Sequence, residues 1–585
     1  MTLNPIVESL LVIDVGSIST RAILFDVVDE QYRFLGAGVS PTTAIAPYRN
    51  ISEGVRMALD NLQAITSRTL IDANQHLIIP AQSDGSGVDR FAATISVGEP
   101  LRLVVMGLLE DVSLESALRL AKSTYARVIQ TISLNDRRKT DTRINMLMRA
   151  RPDLILVAGG TEGGASQSIM SLLEAVGLAC YIMPVDQRPD VFYVGNQSLT
   201  EEVTALLSGH TNLHHGANIR PSLEEEQLDA SRTSLAHLYA QLRVKHIPGV
   251  DELKAWSGDA LYPTAFAFSR MIRLLSKIWT SRKGVLGLDI GASATTLVTA
   301  LDNDLSIQVY PQFGLGNPNL ATLLDRVAAH EILRWSTTEL TQERLQEYLI
   351  AKSLNPQSVP DSVDEMDIEQ AVARVLIQSA LKSAVSEFPS GLTYLADGNI
   401  PLVEPILATG GILAHMQSLP HCALLLLDSL QPVGVTTLIL DQNQIAPALG
   451  AAATFNQLLA IQVLESNSFL NLGTFIAPVV NAKYGWPILR VKMTDETGQE
   501  TTVEVKQGSI ETLPLPYGRT ARLQLHPLHN ADVGMGAPGR GGGFTVKGGV
   551  LGVVIDGRGR PLVLPKELVH RQEIYRKWLL SLGGQ

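Results

Sequence analysis

Cysteine is almost missing from this chain: Cys180 and Cys422 are the two in 585 residues. With no CxxC pair, neither a self-contained zinc site nor a four-cysteine cluster can be drawn. A disulfide framework is not expected either, and so few thiols fit a reducing compartment. Cys180, in Leu178-Ala179-Cys180-Tyr181, reads as core packing. A basic surplus is also lacking. The 47 Lys and Arg against 58 Asp and Glu leave a net charge of −11, which argues against broad nucleic-acid binding. A bound nucleotide remains compatible, because backbone N–H groups and a metal can meet its charge. No apolar run reaches the roughly 18 residues of a membrane span. The longest, Leu402 to Leu427, is broken by Glu404, Gly410-Gly411 and His421. Met1 to Val12 carries an acid and no basic flank, so no signal peptide is read there. These absences together point to a soluble, cytoplasmic protein.

What is present suits several hydrophobic cores. Hydrophobic residues make up 45% and charged residues 18%, too apolar for disorder, and the length suggests about three or four domains. Leu10 to Ile13 and Ala22 to Phe25 are β-prone runs flanking a Gly/Ser turn, the pattern of a hairpin. Ser52 to Thr66 follows with Val55, Leu59, Leu62 and Ile65 at helical spacing. From about Gln75 to Ser208, strand and helix candidates alternate: strands at Leu101 to Met106, Leu154 to Ala158 and Tyr181 to Pro184, helices at Leu114 to Val128 and Met170 to Ala175. This alternation predicts an α/β unit with a parallel sheet. Ala217 to Val244 and Leu261 to Thr280 read as helices. About 275 residues after the first hairpin, Val285 to Leu288 and Leu297 to Ala300 flank a second such turn, and Asn319 to Leu333 and Asp364 to Ser386 read as long helices. Past Asn467, short strand-like runs alternate with Gly, Pro and Asn turns, and Glu567 to Leu582 is an amphipathic helix.

Four motifs carry chemistry. Asp14-Val15-Gly16-Ser17-Ile18-Ser19-Thr20 ends a strand. Gly16 lets backbone N–H groups approach a phosphate, Ser17, Ser19 and Thr20 add hydroxyls, and Asp14 can hold a hydrated Mg²⁺. Asp289-Ile290-Gly291-Ala292-Ser293-Ala294-Thr295 offers a second such turn, with Asp289 beside the metal and Gly291, Ser293 and Thr295 toward phosphate. Two such turns can hold a β- and a γ-phosphate between them, as an ATP clamp whose closing becomes domain motion. The pair Gly410-Gly411, after the apolar run Leu407 to Thr409, would let a base and ribose pack on backbone. Small residues around Gly450, in Ala448-Leu449-Gly450-Ala451, allow helices to cross closely.

The order of these motifs resembles the actin-like ATPases, the superfamily of sugar kinases and heat-shock chaperones. That resemblance implies duplicated, ribonuclease H-like α/β lobes. Residues 1–74 and 209–283 would form the first lobe, 75–208 an inserted α/β domain, 284–466 the second lobe and 467–585 a β-rich C-terminal domain. Further segments narrow the resemblance. Pro152-Asp153-Leu154-Ile155-Leu156-Val157-Ala158-Gly159-Gly160-Thr161-Glu162-Gly163-Gly164, Gly195-Asn196, Ile247-Pro248-Gly249-Val250-Asp251-Glu252-Leu253, Trp256-Ser257-Gly258 and Pro263-Thr264 resemble the MutL proteins encoded beside glutamate mutase, which are unrelated to mismatch repair. Over roughly Leu11 to Phe455, this implies an ATP- and Mg²⁺-binding helper of an adenosylcobalamin-dependent mutase, exchanging damaged cobalamin for intact cofactor. Asp14 and Asp289 would flank metal and phosphates, and Glu162 could orient water or simply serve its turn.

The chain also departs from the family pattern. The family's second turn reads Asp-x-Gly-Gly-Ala-Thr-Thr-Asp; here Ala292-Ser293 replaces the second glycine with an extra residue, and Leu297 stands where the final acid would be. Ala165 replaces an Asn after the glycine loop. These changes bear on hydrolysis more than on binding, so a nucleotide-responsive scaffold is a competing expectation. A small-molecule kinase of the same fold is a third, although no kinase-specific aspartate motif is identified. Gly536 to Gly543 lacks the Gly-Lys-Ser/Thr ending of a phosphate loop and reads as a flexible turn. His210, His214 and His215 lack a carboxylate or Cys at ligand spacing and read as a solvated loop.

Overall fold

The computed structural model describes residues 8–136, 138–164, 166–279, 283–316 and 318–584. Met1 to Val7, Ala165 and Thr280, each used in reading the sequence, lie outside them. The described chain divides into two compact units. One comprises Met1–Leu24, Gly36–Ala267 and Ile307–Pro311; the other comprises Phe25–Leu35, Phe268–Ser306 and Gln312–Gln585.

In chain order the strands begin with β1 (Leu10–Val15), β2 (Ser19–Val28), β3 (Gln31–Pro41) and β4 (Arg90–Ile95). Next come β5 (Leu101–Met106), β6 (Ala126–Ile132), β7 (Leu154–Val157), β8 (Asp190–Tyr193), β9 (Leu213–His215) and β10 (Leu261–Pro263). After these follow β11 (Gly284–Ile290), β12 (Thr295–Leu301), β13 (Asp304–Tyr310), β14 (Val403–Thr409), β15 (Gly434–Leu440) and β16 (Leu470–Ala477). The last are β17 (Pro487–Asp495), β18 (Glu500–Lys506), β19 (Ile510–Leu513), β20 (Thr520–Pro527), β21 (Gly542–Lys547) and β22 (Val553–Asp556).

Two sheets repeat one strand order. The first runs β10-β4-β1-β2-β3, and the second begins β13-β12-β11-β14-β15. In each, the opening strand has its hairpin partner on one side and a parallel strand on the other: β1 pairs in parallel with β4, and β11 with β14. The fifth strand then joins in parallel, β10 on β4 and β15 on β14. This is the duplicated ribonuclease H-like, actin-like arrangement expected from the sequence. The opening strands are uniformly apolar until their last residues, Leu-Leu-Val-Ile-Asp in β1 and Val-Leu-Gly-Leu-Asp in β11, as strands covered on both faces must be. Against the first sheet packs the helix Ile51–Thr66. Asn50 caps it by accepting from the Ser52 N–H, and Ser67 ends it in a left-handed conformation. Packing there is tight enough that a Cβ on Gly38 would lie 2.0 Å from the Ala58 carbonyl oxygen.

Between β4 and β10 the chain forms a parallel sheet of order β6-β5-β7-β8-β9, built on a core of Val104, Met106, Ile155, Val157, Leu172, Val176 and Cys180. The C-terminal stretch does two things. Strands β16, β22 and β19 extend the second sheet to eight strands, while β18-β17-β20-β21 form a separate antiparallel sheet.

Several expected elements are corrected. Tyr181 to Pro184 is not a strand: Ile169, Leu172, Leu173, Val176 and Cys180 keep one buried helical stripe, the helix runs Ser166–Ile182, and Tyr181 and Ile182 fall on its exposed face. The strand of this sheet is β8 instead. The helix expected over Leu114 to Val128 ends at Lys122, where Ser123 turns its hydroxyl back to the Leu120 carbonyl and the β-branched β6 begins. Helix Asp229–His246 starts well after Ala217, because Pro221 interrupts the segment before it. Leu261 to Pro263 is strand β10, and the apolar helix is Thr264–Ile278. Over Asn319 to Leu333 a kinked 3₁₀ segment with Thr322 off helical geometry precedes the short helix Ala329–Leu333. Ile65 is 62% exposed and stands off the Val55, Leu59, Leu62 stripe. His214 and His215 lie in β9 and not in a solvated loop; His214 Nε2 is 2.9 Å from Asp190, which Lys245 also grips.

Both thiols are buried and free, and burial pushes Cys180 up to about 11 and Cys422 up to about 12. Neither is a ready nucleophile. No described helix is long and apolar enough to cross a membrane.

Candidate functional site

Strand β1 delivers Asp14 to the sheet's end, in register with Thr94 of β4. The Thr94 hydroxyl donates to Asp14 Oδ1 at 2.5 Å, and Thr264, at the start of the helix after β10, donates to the same oxygen at 3.4 Å. Burial pushes the Asp14 carboxyl above its ordinary range; the Thr94 hydrogen bond, the Arg21 charge and the Thr264 hydroxyl oppose that without cancelling it. The turn closes with the Gly16 N–H on the Ser19 carbonyl at 3.0 Å. A Cβ on Gly16 would meet that oxygen at 2.9 Å, so the close turn favours glycine there. Thr42 donates its hydroxyl to the Gly16 carbonyl at 2.8 Å and lies 2.9 Å from the Thr20 hydroxyl. Thr20 is therefore fully buried inside the turn, whereas Gly16, Ser17 and Ser19 stay half-buried at its surface.

The other unit repeats this arrangement. Asp289, next to last in β11, stands in register with Thr409 of β14. The Gly291 N–H donates to the Ala294 carbonyl at 2.9 Å, closing a turn of the same length as the first. The residue beyond the family's second-turn pattern thus brings the two turns of this chain to equal length. Thr295, like Thr20, is fully buried and gives its hydroxyl to the Phe313 carbonyl at 2.6 Å, while Gly291 and Ser293 stay half-buried. The Leu315 and Gly316 N–H groups close on the Gly291 and Ala292 carbonyls.

The glycine pair adjoins this second turn. Gly410 has φ +127°, and a Cβ there would lie 2.2 Å from the Ile290 carbonyl oxygen, whereas one on Gly411 would meet nothing within 4 Å. Asp289, Gly291, Gly410 and Gly411 are thus gathered at one end of the sheet. Gly450 is buried in the helix Ala446–Ala452. The start of that helix is held by Asp441, which is fully buried and accepts from the Ile445 and Ala446 N–H groups and from the Thr409 hydroxyl. Gly450 is thereby linked, through Asp441 and Thr409, to the glycine pair.

Glu162 belongs with the sheet of β7 and is held there by its own partners. It lies in the loop after β7, where its Oε1 accepts from Asn218 Nδ2 at 2.7 Å and from the Gln197 N–H at 3.3 Å. Those bonds fasten the glycine loop to its neighbours, and Gly159, Gly160 and Gly163 take positive φ to make it. Sequence reading missed Thr94, Thr264, Thr409 and Asp441. Thr264 and Thr409 stood inside quoted segments without a role assigned, and Asp441 had a local signal too, an acid five residues before a run of small helix formers.

A doubled α/β lobe with an acid-and-glycine turn at the end of each opening strand defines the class of protein. Residues 10–468 match the family described as MutL protein, well over half of the chain, and the chain belongs to that family. Protein MutL of Clostridium tetanomorphum is 21% identical over 396 residues, covering 63% of this chain and 83% of the relative. Among solved structures, nucleotide-free acetone carboxylase is similar at a TM-score of 0.32 and 12% identity, over 86% of this chain and 81% of that one. Diol dehydratase-reactivating factor in nucleotide-free form gives 0.30 and 9%, over 77% of this chain and 100% of that one. The activator of 2-hydroxyisocaproyl-CoA dehydratase from Clostridium difficile, with bound ADPNP, gives 0.26 and 9%, over 78% and 98%. Likenesses this distant carry no argument about ligand or partner.

Proposed function

We propose that this MutL-family chain binds ATP with Mg²⁺, hydrolyses it slowly, and serves an adenosylcobalamin-dependent mutase of the glutamate mutase type as a chaperone-like reactivation factor. The observation that carries the reading is the doubled turn: Gly16 on Ser19 and Gly291 on Ala294, each glycine two residues past an aspartate that stands next to last in its strand. Each turn exposes short backbone loops suited to phosphate oxygens. Asp14 fits a hydrated magnesium ion, since both hydroxyl bonds reach Oδ1 and leave Oδ2 for a metal-bound water. The ion would supply charge neutralisation of the phosphates. Ser17, Ser19 and Ser293 would meet phosphate oxygens, Thr20 and Thr295 would hold the turns closed, and Gly410, Gly411 and Gly450 would keep room for the nucleoside. Glu162 would act by shaping its loop.

Leu297, 1% exposed where the family pattern has an acid, favours a second reading in which nucleotide is bound and not turned over, leaving a nucleotide-responsive scaffold. The two readings separate on one experiment. Glutamate mutase inactivated with hydroxocobalamin is incubated with the full chain, adenosylcobalamin and Mg-ATP, and both mutase activity and ADP are followed. Recovered activity that requires ATP, with ADP formed, supports the reactivation factor. Nucleotide binding with neither ADP nor recovery supports the scaffold.

A further inference from the structure

One end of the parallel sheet β6-β5-β7-β8-β9 gathers guanidinium groups. Arg102 at the start of β5 stands in register with Arg127 at the start of β6. The helix Thr140–Ala150 ends beside them, adding Arg149 in its last turn and Arg151 as its C-cap, held in a left-handed conformation at φ +43°. A concavity of about 670 Å³ is lined by Arg102, Asn145, Met148, Arg149 and Arg151.

Part of this charge has a local explanation. Cations suit a helix C-terminus, and Arg102 Nη2 donates to the Ala150 carbonyl at 2.6 Å. The nearby Asp153 carboxylate accepts from the Arg102 N–H at 2.7 Å through Oδ2. The side chains of Arg127, Arg149 and Arg151, by contrast, make no hydrogen bond or ion pair with the described residues, and all three are exposed. In a chain of net charge −11, acids to pair with them are plentiful, yet among the described residues none forms an ion pair with these three side chains. Guanidinium forks match carboxylates two oxygens at a time.

We infer that this arginine-lined concavity is a docking surface for an acidic, Glu/Asp-rich segment of a partner protein. The match is one of charge, and the surface has the character of an interface rim: open, polar and rich in arginine. A small ligand would be better served by an enclosed, mostly apolar pocket. The inference is independent of nucleotide binding, because none of these residues belongs to either acid-and-glycine turn.

The test uses the full chain and a fluorescein-labelled octaglutamate peptide, read by anisotropy. Wild type is expected to bind the peptide, and Arg149→Glu with Arg151→Glu to weaken it by about tenfold or more. Raising salt from about 50 mM to about 300 mM is expected to weaken wild-type binding as well. The control, Arg576→Glu with Lys577→Glu, makes the same change of net charge on the exposed face of helix Leu568–Ser581 and is expected to stay within about twofold of wild type. Arg149→Gln with Arg151→Gln repeats the test should the reversed charges unfold the chain. No binding by wild type, or equal binding by the double variants, overturns the proposal. Displacement of the peptide by inorganic tripolyphosphate at lower concentration than by unlabelled octaglutamate also overturns it, and assigns the cavity to a small polyanion.

Discussion

Asp14 carries an internal conflict that can be measured. Burial holds its carboxyl above the ordinary range against the Thr94 hydroxyl, Arg21 and Thr264. A carboxyl whose pKa rises on folding binds its proton more tightly in the native state. Its effect is therefore to lower stability as pH rises from the ordinary carboxylate range through the folded pKa. Replacing Asp14 by Asn removes that penalty, so the melting temperature of the nucleotide-free variant at neutral pH is expected to be no lower than wild type. On the proposed function, Mg-ATP takes the charged form, so its binding should release a proton from Asp14 when the pH is near that raised pKa. Calorimetry in two buffers of different ionisation enthalpy reads this directly, and Asp14→Asn should show none of it. A variant that both melts earlier and still binds Mg-ATP contradicts the account. The aspartate and glycine of each turn were legible because they lie two residues apart in the chain. Thr94 and Thr264 were not, since they reach Asp14 from 80 and 250 residues away, a pairing that no local pattern records.

At the scale of elements, close backbone approach decides which packing survives substitution. A Cβ on Gly38 would lie 2.0 Å from the Ala58 oxygen and 2.4 Å from the Leu62 nitrogen, both helix backbone that no rotamer change can move. Gly38→Ala should therefore lift the helix Ile51–Thr66 off β3 and destabilise the chain by roughly 3 kcal/mol, read as a lowered urea midpoint with unchanged slope. An unchanged midpoint would show that this packing is looser than described. The helix itself was plain from the spacing of Val55, Leu59 and Leu62. Sequence reading failed where an apolar run obeys two periods at once: Tyr181 to Pro184 is β-prone taken alone, but its preceding stripe continues as helix. The repeated hairpin was legible, because Asp-x-Gly after an apolar strand recurs in both halves.

At the scale of the chain, the C-terminal stretch is tied in by buried charge. Within its own unit, Asp428 accepts from Arg374 and Arg558, and Asp556 accepts from Arg558 and Arg560, all of them buried. Trp578 lies 4.7 Å from the Arg558 guanidinium, and Tyr575 accepts from Arg374. These contacts join the helices Val363–Ala384, Leu419–Leu430 and Leu568–Ser581 to the end of β22. Burial alone would raise the Asp556 carboxyl, but Arg558 and Arg560 outweigh it and hold it far below its usual range. The stability it supplies is complete above the ordinary carboxylate range and fades as pH falls from that range toward the depressed folded value. Asp556→Asn leaves buried arginines short of a counter-charge and should cost about 3 to 5 kcal/mol at neutral pH. Thermal melts should show the gap from wild type narrowing in acid; a gap independent of pH contradicts this role for the charge. None of this was legible in sequence. The β-rich character of the stretch was, but β16, β19 and β22 join the eight-stranded sheet through partners distant in sequence.

The central claim, on the proposed function, is that the acid-and-glycine turns bind nucleotide. It is tested most directly by calorimetric titration of Mg-ATP into the full chain and into Asp14→Asn and Asp289→Asn. The account predicts binding by wild type and a loss of at least about tenfold in each variant, with folding intact. No binding by wild type, or wild-type affinity in both variants, would contradict it.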